Sequence, residues 1–204
     1  MGPRVTAAVL AAGEGRRMGA SKLLLPWGEA TVLDRTLAQL ERSSVTDILV
    51  VTGHDAEAVA VVARAHGART IHNPDYASGG MLSSLRLAVG CLAPEVEGVL
   101  VALADQPMVE TATIDALVSA FRSTGAGFVA PVHAGRRGNP VLIARRHFAA
   151  LAALPAGAAP RALLARHPED LRLVAVESEA VLCDIDRPED YRRWRPADTR
   201  SSTS

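Results

Sequence analysis

The chain has 204 residues, a length that suits one well-packed domain. Its 22 lysines and arginines are balanced by 22 aspartates and glutamates, so the formal net charge is zero. A zero charge argues against nucleic acid and against an anionic membrane surface as the main partner, because both favour a basic excess. Aromatic residues make up only 3 %, which also argues against base stacking on an aromatic platform.

The expected compartment follows from the cysteines and from the apolar runs. Cys91 and Cys183 are too few for a disulfide scaffold, and we expect two buried thiols in a reducing compartment. No apolar run reaches the ~18 residues that a membrane span needs, and the first residues lack the layout of a secretory signal. The sequence therefore predicts a cytoplasmic protein.

Short apolar strands alternate with amphipathic helical patterns along the first part of the chain. Continuous apolar runs predict buried strands, and an apolar period of 3.6 residues predicts helices. The predicted strands are residues 5–12, 47–52, 69–72 and 98–103. The predicted helices are residues 31–40, 57–66 and 81–89, followed by a helix marked by Ile114, Leu117, Val118 and Phe121.

The alternation becomes irregular in the second part of the chain. Strands are predicted at residues 127–131, 140–143, 171–176 and 180–185, and helices at residues 148–154, 161–167 and 188–194. Repeated strand–helix–strand units predict an α/β fold with helices on both faces of a mostly parallel sheet, mixed toward the C-terminal half. We expect residues 1–195 to form one domain and residues 196–204 to form a flexible tail.

The turn after the first strand is rich in glycine and in positive charge. Gly13, Gly15 and Gly19 let the backbone approach a ligand closely, and Arg16, Arg17 and Lys22 add cations. Ligands of open α/β sheets bind beyond the carboxyl ends of strands, and a phosphate chain suits both glycine and cations. A plain glycine-rich turn with solvated cations is the alternative.

The glycine spacing separates this turn from two better-known phosphate loops. The spacing is G-x-G-x-x-x-G, whereas the dinucleotide fingerprint needs G-x-G-x-x-G, which disfavours an NAD(P)-dependent reductase. The chain also lacks the G-x-x-x-x-G-K-[ST] pattern of a P-loop.

Two carboxylates are candidates for a metal site at the same edge of the sheet. Asp105 follows the predicted strand 98–103, and a carboxylate together with phosphates is how Mg²⁺ is usually held. The second is Asp186, which ends the last predicted strand, and Asp184, two residues earlier on the same strand face, is the alternative to it. The alternatives are a turn-capping role for Asp105 and a helix-capping role for Asp186.

Several segments together resemble one enzyme family. The pattern LAAGxGxRMGxxK at residues 10–22 resembles the opening of the molybdopterin nucleotidyltransferases, which have a GT-A-like fold. Residues 73–85, 105–107, 137–142 and 184–190 resemble, in the same order, the cytidylyltransferase branch of that family. The resemblance covers residues 5–194 and implies a three-layer, Rossmann-like sheet of the GT-A type.

The resemblance implies transfer of CMP from CTP to the phosphate of molybdopterin or molybdenum cofactor, giving molybdopterin cytosine dinucleotide and pyrophosphate. Mg²⁺ would assist an in-line attack on the α-phosphate. The implied catalytic residues are Arg17, Lys22 and Asp105, and the implied metal ligands are Asp105 and Asp186. The implied nucleotide-binding residues are Leu10, Ala11, Ala12, Gly13, Gly15, Arg16, Thr52, Gly53, Gly80 and Ser84. The Ala-Ala-Gly of the first turn goes with CTP rather than GTP in that family.

The acceptor side departs from the family pattern in two places. Arg137, Asn139 and Arg161 are the implied acceptor-binding residues, but Asn139 stands where the family has His. Residues 157–164 lack the family's Asp and its second Gly. Two alternatives therefore stay open. One is a nucleotidyltransferase for another phosphorylated acceptor, such as a sugar phosphate. The second is a non-catalytic chaperone that delivers molybdenum cofactor to a client molybdoenzyme.

Overall fold

The computed structural model describes residues 2–13 and 21–196 of the chain. The strands within these residues are β1 (Arg4–Ala11), β2 (Pro26–Trp27), β3 (Ala30–Thr31), β4 (Asp47–Thr52), β5 (Arg69–His72), β6 (Val96–Leu103), β7 (Phe128–His133), β8 (Arg136–Arg137), β9 (Val141–Ala144) and β10 (Leu171–Ala175). The predicted strands 47–52 and 69–72 are confirmed to the residue.

The helices are α1 (Val32–Glu41), α2 (Ala56–Ala65), α3 (Gly80–Gly90), α4 (Thr111–Thr124), α5 (Phe148–Ala152), α6 (Arg161–Arg166) and α7 (Pro188–Trp194). Local chemistry fixes their ends. Thr31 and Asp34 form a reciprocal capping box at the start of α1, and Gly125, with φ +64, ends α4 in the left-handed region. Within the described part of the chain, no helix is both long and apolar enough to span a bilayer.

The sheet is mixed, with its parallel core built from the first half of the chain. Its strand order is β10-β7-β9-β6-β1-β4-β5, and β8 pairs with β7. Strand β1 is parallel to both β4 and β6, whereas β9 is antiparallel to both β6 and β7. The predicted α/β class, mostly parallel and mixed toward the C-terminal half, is confirmed.

Apolar residues from both faces of the sheet are covered by helices. One core layer joins the sheet to α1, α2 and α4, and the other joins it to α3, α5 and α6. Along β1 the side chains of Val5, Ala7 and Val9 belong to the first layer, while Ala8 belongs to the second. This alternation explains why β1 is apolar at nearly every position after Arg4, since both of its faces are buried.

The predicted last strand at residues 180–185 is wrong. Residues Glu179–Leu182 form a 3₁₀ turn, and an irregular segment follows. The carbonyl of Val181 accepts a hydrogen bond from the Asn139 N–H (2.8 Å), and the Ile185 N–H donates to the Asp105 carbonyl (3.0 Å). These bonds, and full burial of Ile185 in a cluster with Trp27, hold the segment across the edge of the sheet. Asp184 and Asp186 therefore do not share a strand face.

The expectation of two buried thiols is also wrong. Cys91 is exposed and Cys183 is half-buried. Cys91 lies at the C-terminal cap of α3, where the helix reaches the surface, and Cys183 directly follows the 3₁₀ turn. Neither position is part of the two core layers described above.

An ionic cluster fastens the start of β10 to residues that flank the nearby strands β7 and β9. The Asp170 carboxylate accepts hydrogen bonds from the Gly127 N–H and the Arg146 guanidinium, both at 2.7 Å, and contacts His147 Nε2 at 2.7 Å. The hydrogen bond from Arg146 lowers the pKa of Asp170, and bonds from His147 and Gly127 lower it further, against the opposing effect of burial. A carboxylate with a lowered pKa stabilises the folded state only while it is ionised.

We expect Asp170→Asn to lower the free energy of unfolding by about 1–3 kcal/mol at pH 7. The sign follows from the lowered pKa. The stabilisation by Asp170 is complete above the ordinary carboxyl pKa of about 3.9 and is lost as the pH falls toward the folded-state pKa. Urea unfolding at pH 7 and at pH 3 measures this, and the variant's deficit should shrink at pH 3. Glu97→Gln, at an exposed position on β6, is the control, and an equal deficit at both pH values would contradict the assignment.

Candidate functional site

The carboxyl ends of β1 and β6 open into a cavity of about 320 Å³. Strand β1 leads into Ala12 and Gly13, and Asp105 follows β6 two residues after its end. The structure brings together most of the residues predicted for nucleotide and metal. The lining includes Leu10, Ala11, Ala12, Gly13, Lys22, Gly80, Ser84, Asp105 and Asp186.

The centre of this cavity is an ion-pair cluster. The Lys22 ammonium donates hydrogen bonds to the carboxylates of Asp105 and of Asp186, the latter at 2.8 Å. The Lys22 and Asp105 side chains are only 14 % and 15 % exposed. Burial lowers the pKa of Lys22, but attraction to Asp105 and Asp186 outweighs it and leaves the pKa above its ordinary value. The ammonium is therefore firmly charged where it lies.

A third carboxylate makes the cluster rich in negative charge. Asp184 lines the same cavity, and its pKa is raised by burial and by the neighbouring Asp105 and Asp186 carboxylates. Among the described residues, three acidic side chains thus line the cavity that holds the Lys22 ammonium. The Asp186 carboxylate accepts from Lys22, and the Asp186 N–H donates to the Asp190 carboxylate at 3.2 Å. The same Asp190 carboxylate also accepts from the Arg187 N–H at 2.8 Å at the start of α7. Asp190 thus supplies the acidic side chain of the capping box at the start of α7.

The Ser84 hydroxyl is fixed by Asn73, which was not among the predicted site residues. The Asn73 side-chain amide donates to Ser83 Oγ (2.8 Å) and to Ser84 Oγ (2.9 Å). Asn73 is almost fully buried, so the bond to Ser84 is sheltered from water. Asn73 opens the family-like segment 73–85, and that position in the sequence could have identified it as a site residue. In the structure it holds the start of α3 against the loop after β5.

Thr52 and Gly53 lie behind the first turn. Thr52 is 3 % exposed. A Cβ on Gly53 would lie 2.7 Å from the Tyr76 Cβ and 2.8 Å from the Ala12 Cα, and closer still to the Ala12 carbonyl. Because Gly53 has no side chain, the backbone after β4 can pack closely on the backbone after β1 at Ala12. Direct contact of either residue with a nucleotide stays a prediction.

Three predicted residues lie outside the described part of the chain. Gly15, Arg16 and Arg17 belong to residues 14–20. Their proposed contacts with phosphate therefore stay predictions from the sequence.

A second cavity, of about 480 Å³, adjoins the first and shares Gly80, Met81 and Leu103 with it. The three predicted acceptor-binding residues, Arg137, Asn139 and Arg161, all line it. Its remaining wall is largely apolar and includes Leu82, Leu85, Val101, Ile143 and Leu164. An apolar cavity with a few polar groups is typical of a small-molecule site.

Gly138 and Asn139, at the second cavity, contact the chain segment that carries Asp184 and Asp186 into the first cavity. Asn139 donates its N–H to Val181, and a Cβ on Gly138 would lie 2.7 Å from the Val181 carbonyl carbon. The Asn139–Pro140 peptide bond is cis. The 3₁₀ turn that contains Val181 leads directly to Asp184 and Asp186. The two cavities therefore share one supporting segment.

The acidic side chains of the first cavity suit a divalent cation that is coordinated partly by the protein and partly by a bound nucleotide. Within residues 2–13 and 21–196, no group of three or more His, Cys, Asp or Glu side chains is arranged to hold a metal by itself. Asp105 and Asp186 offer hard carboxylate oxygens, which are typical ligands of Mg²⁺. Mg²⁺ usually completes its octahedral shell with water and substrate phosphates, so two carboxylates fit this ion.

The sequence is similar to proteins with two different recorded activities. Residues 7–171 match the MobA-like NTP transferase domain. The chain is 31 % identical to the molybdenum cofactor cytidylyltransferase of Escherichia coli, covering 90 % of this chain and 91 % of that protein. It is 30 % identical to nicotine blue oxidoreductase of Paenarthrobacter nicotinovorans, covering 94 % and 96 %.

The fold is similar to that of solved structures over nearly its whole length. Rv0371c of Mycobacterium tuberculosis H37Rv superposes with a TM-score of 0.84 and 28 % identity, covering 95 % of this chain and 97 % of that one. The same mycobacterial protein has been solved in complex with manganese, with a TM-score of 0.79, 29 % identity and coverage of 93 % and 97 %.

We expect Gly53→Ala to lower the free energy of unfolding by about 1–3 kcal/mol, because its Cβ would collide with the backbone of Ala12. Gly90→Ala is the matched control, since a Cβ there meets nothing within 4 Å. Thermal and urea unfolding of both variants measure the difference. A stable Gly53→Ala protein that has lost only nucleotide binding would contradict the packing role and favour direct contact.

Proposed function

Because this chain belongs to the family of the MobA-like NTP transferase domain and is a nucleotidyltransferase, we propose that it transfers CMP from CTP to the phosphate of molybdopterin or molybdenum cofactor. The products are molybdopterin cytosine dinucleotide and pyrophosphate. One observation carries the proposal. A cavity with cation and carboxylates adjoins a cavity with an apolar wall and two arginines, and they meet at Gly80, Met81 and Leu103. A nucleotide in the first cavity and a phosphorylated ring compound in the second can thus bring the α-phosphate and the acceptor phosphate close to each other.

The proposed reaction asks for positioning and charge neutralisation. An acceptor phosphate oxygen attacks the α-phosphorus, the bond from that phosphorus to the bridging oxygen breaks, and pyrophosphate leaves with the electron pair. Asp105 and Asp186 would hold Mg²⁺, which when bound supplies neutralisation of the phosphate charge. Lys22 lies within hydrogen-bonding distance of both carboxylates, so its ammonium is well placed for the same phosphates. No protein nucleophile is needed.

The first turn supports CTP as the nucleotide. Ala11, Ala12 and Gly13 line the first cavity, and their small side chains leave backbone groups accessible to a base. The Ser84 hydroxyl, held by Asn73, adds one fixed polar group to this lining. In the family that the sequence resembles, Ala-Ala-Gly at this turn goes with CTP.

The second cavity supports an acceptor with a flat ring and a phosphate. Its volume of about 480 Å³ is large enough for a bicyclic or tricyclic ring system. The guanidinium groups of Arg137 and Arg161 suit a phosphate, because guanidinium donors match phosphate oxygens in pairs. The Asn139 amide can donate and accept hydrogen bonds at a ring edge, although it cannot transfer the proton that a His would carry. We further propose a client molybdoenzyme as the recipient of the product.

A second candidate function has one specific observation in its favour. The relative named nicotine blue oxidoreductase covers nearly the whole chain at 30 % identity. A reductase would bind a nicotinamide dinucleotide, whereas the glycine spacing of the first turn differs from the usual fingerprint for such a ligand. Transfer to a sugar phosphate is a further candidate, and the measurements below separate these functions.

We expect pyrophosphate release with CTP, Mg²⁺ and molybdopterin, and little with GTP. Asp105→Asn should lower this rate at least ~100-fold, because it removes a ligand of the metal that neutralises the phosphates. A coupled pyrophosphate assay and mass spectrometry of the dinucleotide measure the two outcomes. Glu97→Gln is the control, and it should keep the wild-type rate.

Three results, from this assay together with cofactor-binding and NADPH-oxidation measurements, would overturn the proposed transfer to molybdopterin. Pyrophosphate release only with a sugar phosphate would change the acceptor. Tight cofactor binding without turnover would make the protein a carrier. NADPH oxidation without pyrophosphate release would favour the reductase.

We expect Arg161→Ala to raise the KM for molybdopterin about tenfold or more, with little change in the affinity for CTP. Arg161 lines the second cavity only, so its loss should affect the acceptor alone. Arg166→Ala is the matched control, because Arg166 is an exposed arginine on the same helix α6. Equal effects of the two variants, or an effect of Arg161→Ala on CTP alone, would contradict this subsite.

A further inference from the structure

The Lys22 ammonium lies where the proposed function requires a divalent cation. It donates to Asp186 at 2.8 Å and also to Asp105, the two carboxylates proposed as metal ligands. Lys22 and Asp105 are both largely buried, so water screens this contact weakly. One cluster thus offers the same carboxylates to two kinds of cation.

We propose that Lys22 occupies the metal position until nucleotide binds, and that the metal enters only when a triphosphate draws the ammonium away. This inference rests on the proposed nucleotide site. It assigns Lys22 a role before the reaction, as the residue that makes metal binding depend on nucleotide binding.

An ammonium and a metal cannot share these carboxylates at close range. A bound Mg²⁺ lies 2.0–2.1 Å from its oxygens, and an ammonium donates to the same oxygens from about 2.8 Å. Both positive charges would then lie within a few ångströms of each other in a partly buried cavity, where repulsion is strong. Entry of the metal therefore requires the Lys22 side chain to move.

The carboxylates in turn need a cation when no ligand is bound. Asp105 is only 15 % exposed, and a carboxylate that is taken out of water without a partner is costly. Lys22 supplies that partner from within the chain. A metal alone must displace Lys22 and gains few protein ligands, since the described residues hold no group of three or more such side chains arranged for a metal.

A triphosphate changes this balance in two ways. Its oxygens complete the coordination of a divalent cation, and they also offer the displaced ammonium a new anionic partner. The Lys22 side chain has four flexible methylene groups, so its ammonium can move without moving the 3₁₀ turn Lys22–Leu24 that carries it. Nucleotide and metal should therefore strengthen each other's binding by the same factor.

The test measures Mn²⁺ binding directly, without turnover. Electron paramagnetic resonance of free Mn²⁺ gives the Kd for the metal alone with wild type, Lys22→Met and Lys22→Arg. We expect Lys22→Met to bind Mn²⁺ at least ~10-fold more tightly than wild type, because the competing charge is gone. Lys22→Arg keeps that charge and should bind Mn²⁺ as weakly as wild type.

Two further measurements establish where the metal binds and whether the variant is folded. Adding Asp105→Asn to Lys22→Met should abolish the gain, which assigns the Mn²⁺ to this site. Mn²⁺ should also raise the thermal midpoint of Lys22→Met more than that of wild type, since a ligand stabilises the folded state that binds it. Lys22→Gln serves in place of Lys22→Met if the latter does not fold.

Equal or weaker Mn²⁺ binding by folded Lys22→Met or Lys22→Gln would overturn the inference. So would a gain that survives the Asp105→Asn substitution. Failure of the proposed function has a different signature. Tight Mn²⁺ binding by Lys22→Met, together with no effect of CTP on Mn²⁺ binding by wild type, supports the competition but rejects CTP as the nucleotide.

Discussion

The contact between Lys22 and its two carboxylates joins three distant parts of the chain. Lys22 follows the first turn, Asp105 follows the central strand β6, and Asp186 lies in the C-terminal segment before α7. The Ile185 N–H bonds the Asp105 carbonyl at 3.0 Å, so backbone and side chains hold the same junction. Both cavities depend on this junction, because the segment that supports Asp186 also packs on Gly138. The zero net charge of the chain conceals this local arrangement.

The sheet topology explains why the two cavities lie side by side. Strands β1 and β6 are parallel, so their carboxyl ends deliver the first turn and Asp105 to one edge. Strand β9 is antiparallel to β6 and begins opposite Val101, near the end of β6. Its N-terminal neighbours Arg137 and Asn139 therefore arrive at that same edge. The antiparallel direction of β9 thus places Arg137 and Asn139 beside Asp105 and the first turn.

Much of the fold was predictable because its signals are local. Buried parallel strands such as β4 read as uninterrupted apolar runs, and the helices carry a clear 3.6-residue period. The apolar residues of 180–185 misled the prediction because Val181 and Ile185 are buried by contacts across the sheet edge rather than in a ladder. Burial alone does not distinguish the two cases.

The sequence predicted which residues form the candidate site, but it did not predict which of them contact each other. Sequence motifs assigned Lys22 to phosphate and Asp105 and Asp186 to a metal, yet in the structure these groups bind each other. The contacts span 83 and 164 residues of sequence, and no local pattern reports such a separation. The packing of Gly53 on Ala12 and the hydrogen bond from Asn73 to Ser84 were not predictable either, because both are tertiary contacts.

A crystal structure with metal and nucleotide bound would show whether Lys22 gives up the two carboxylates. Crystals of the protein with Mn²⁺ and a non-hydrolysable CTP analogue locate the metal by its anomalous signal. We expect Mn²⁺ between Asp105 and Asp186, with triphosphate oxygens completing its coordination shell and the Lys22 ammonium bound to a phosphate. A metal elsewhere, with Lys22 still bridging the two carboxylates beside a bound nucleotide, would contradict it.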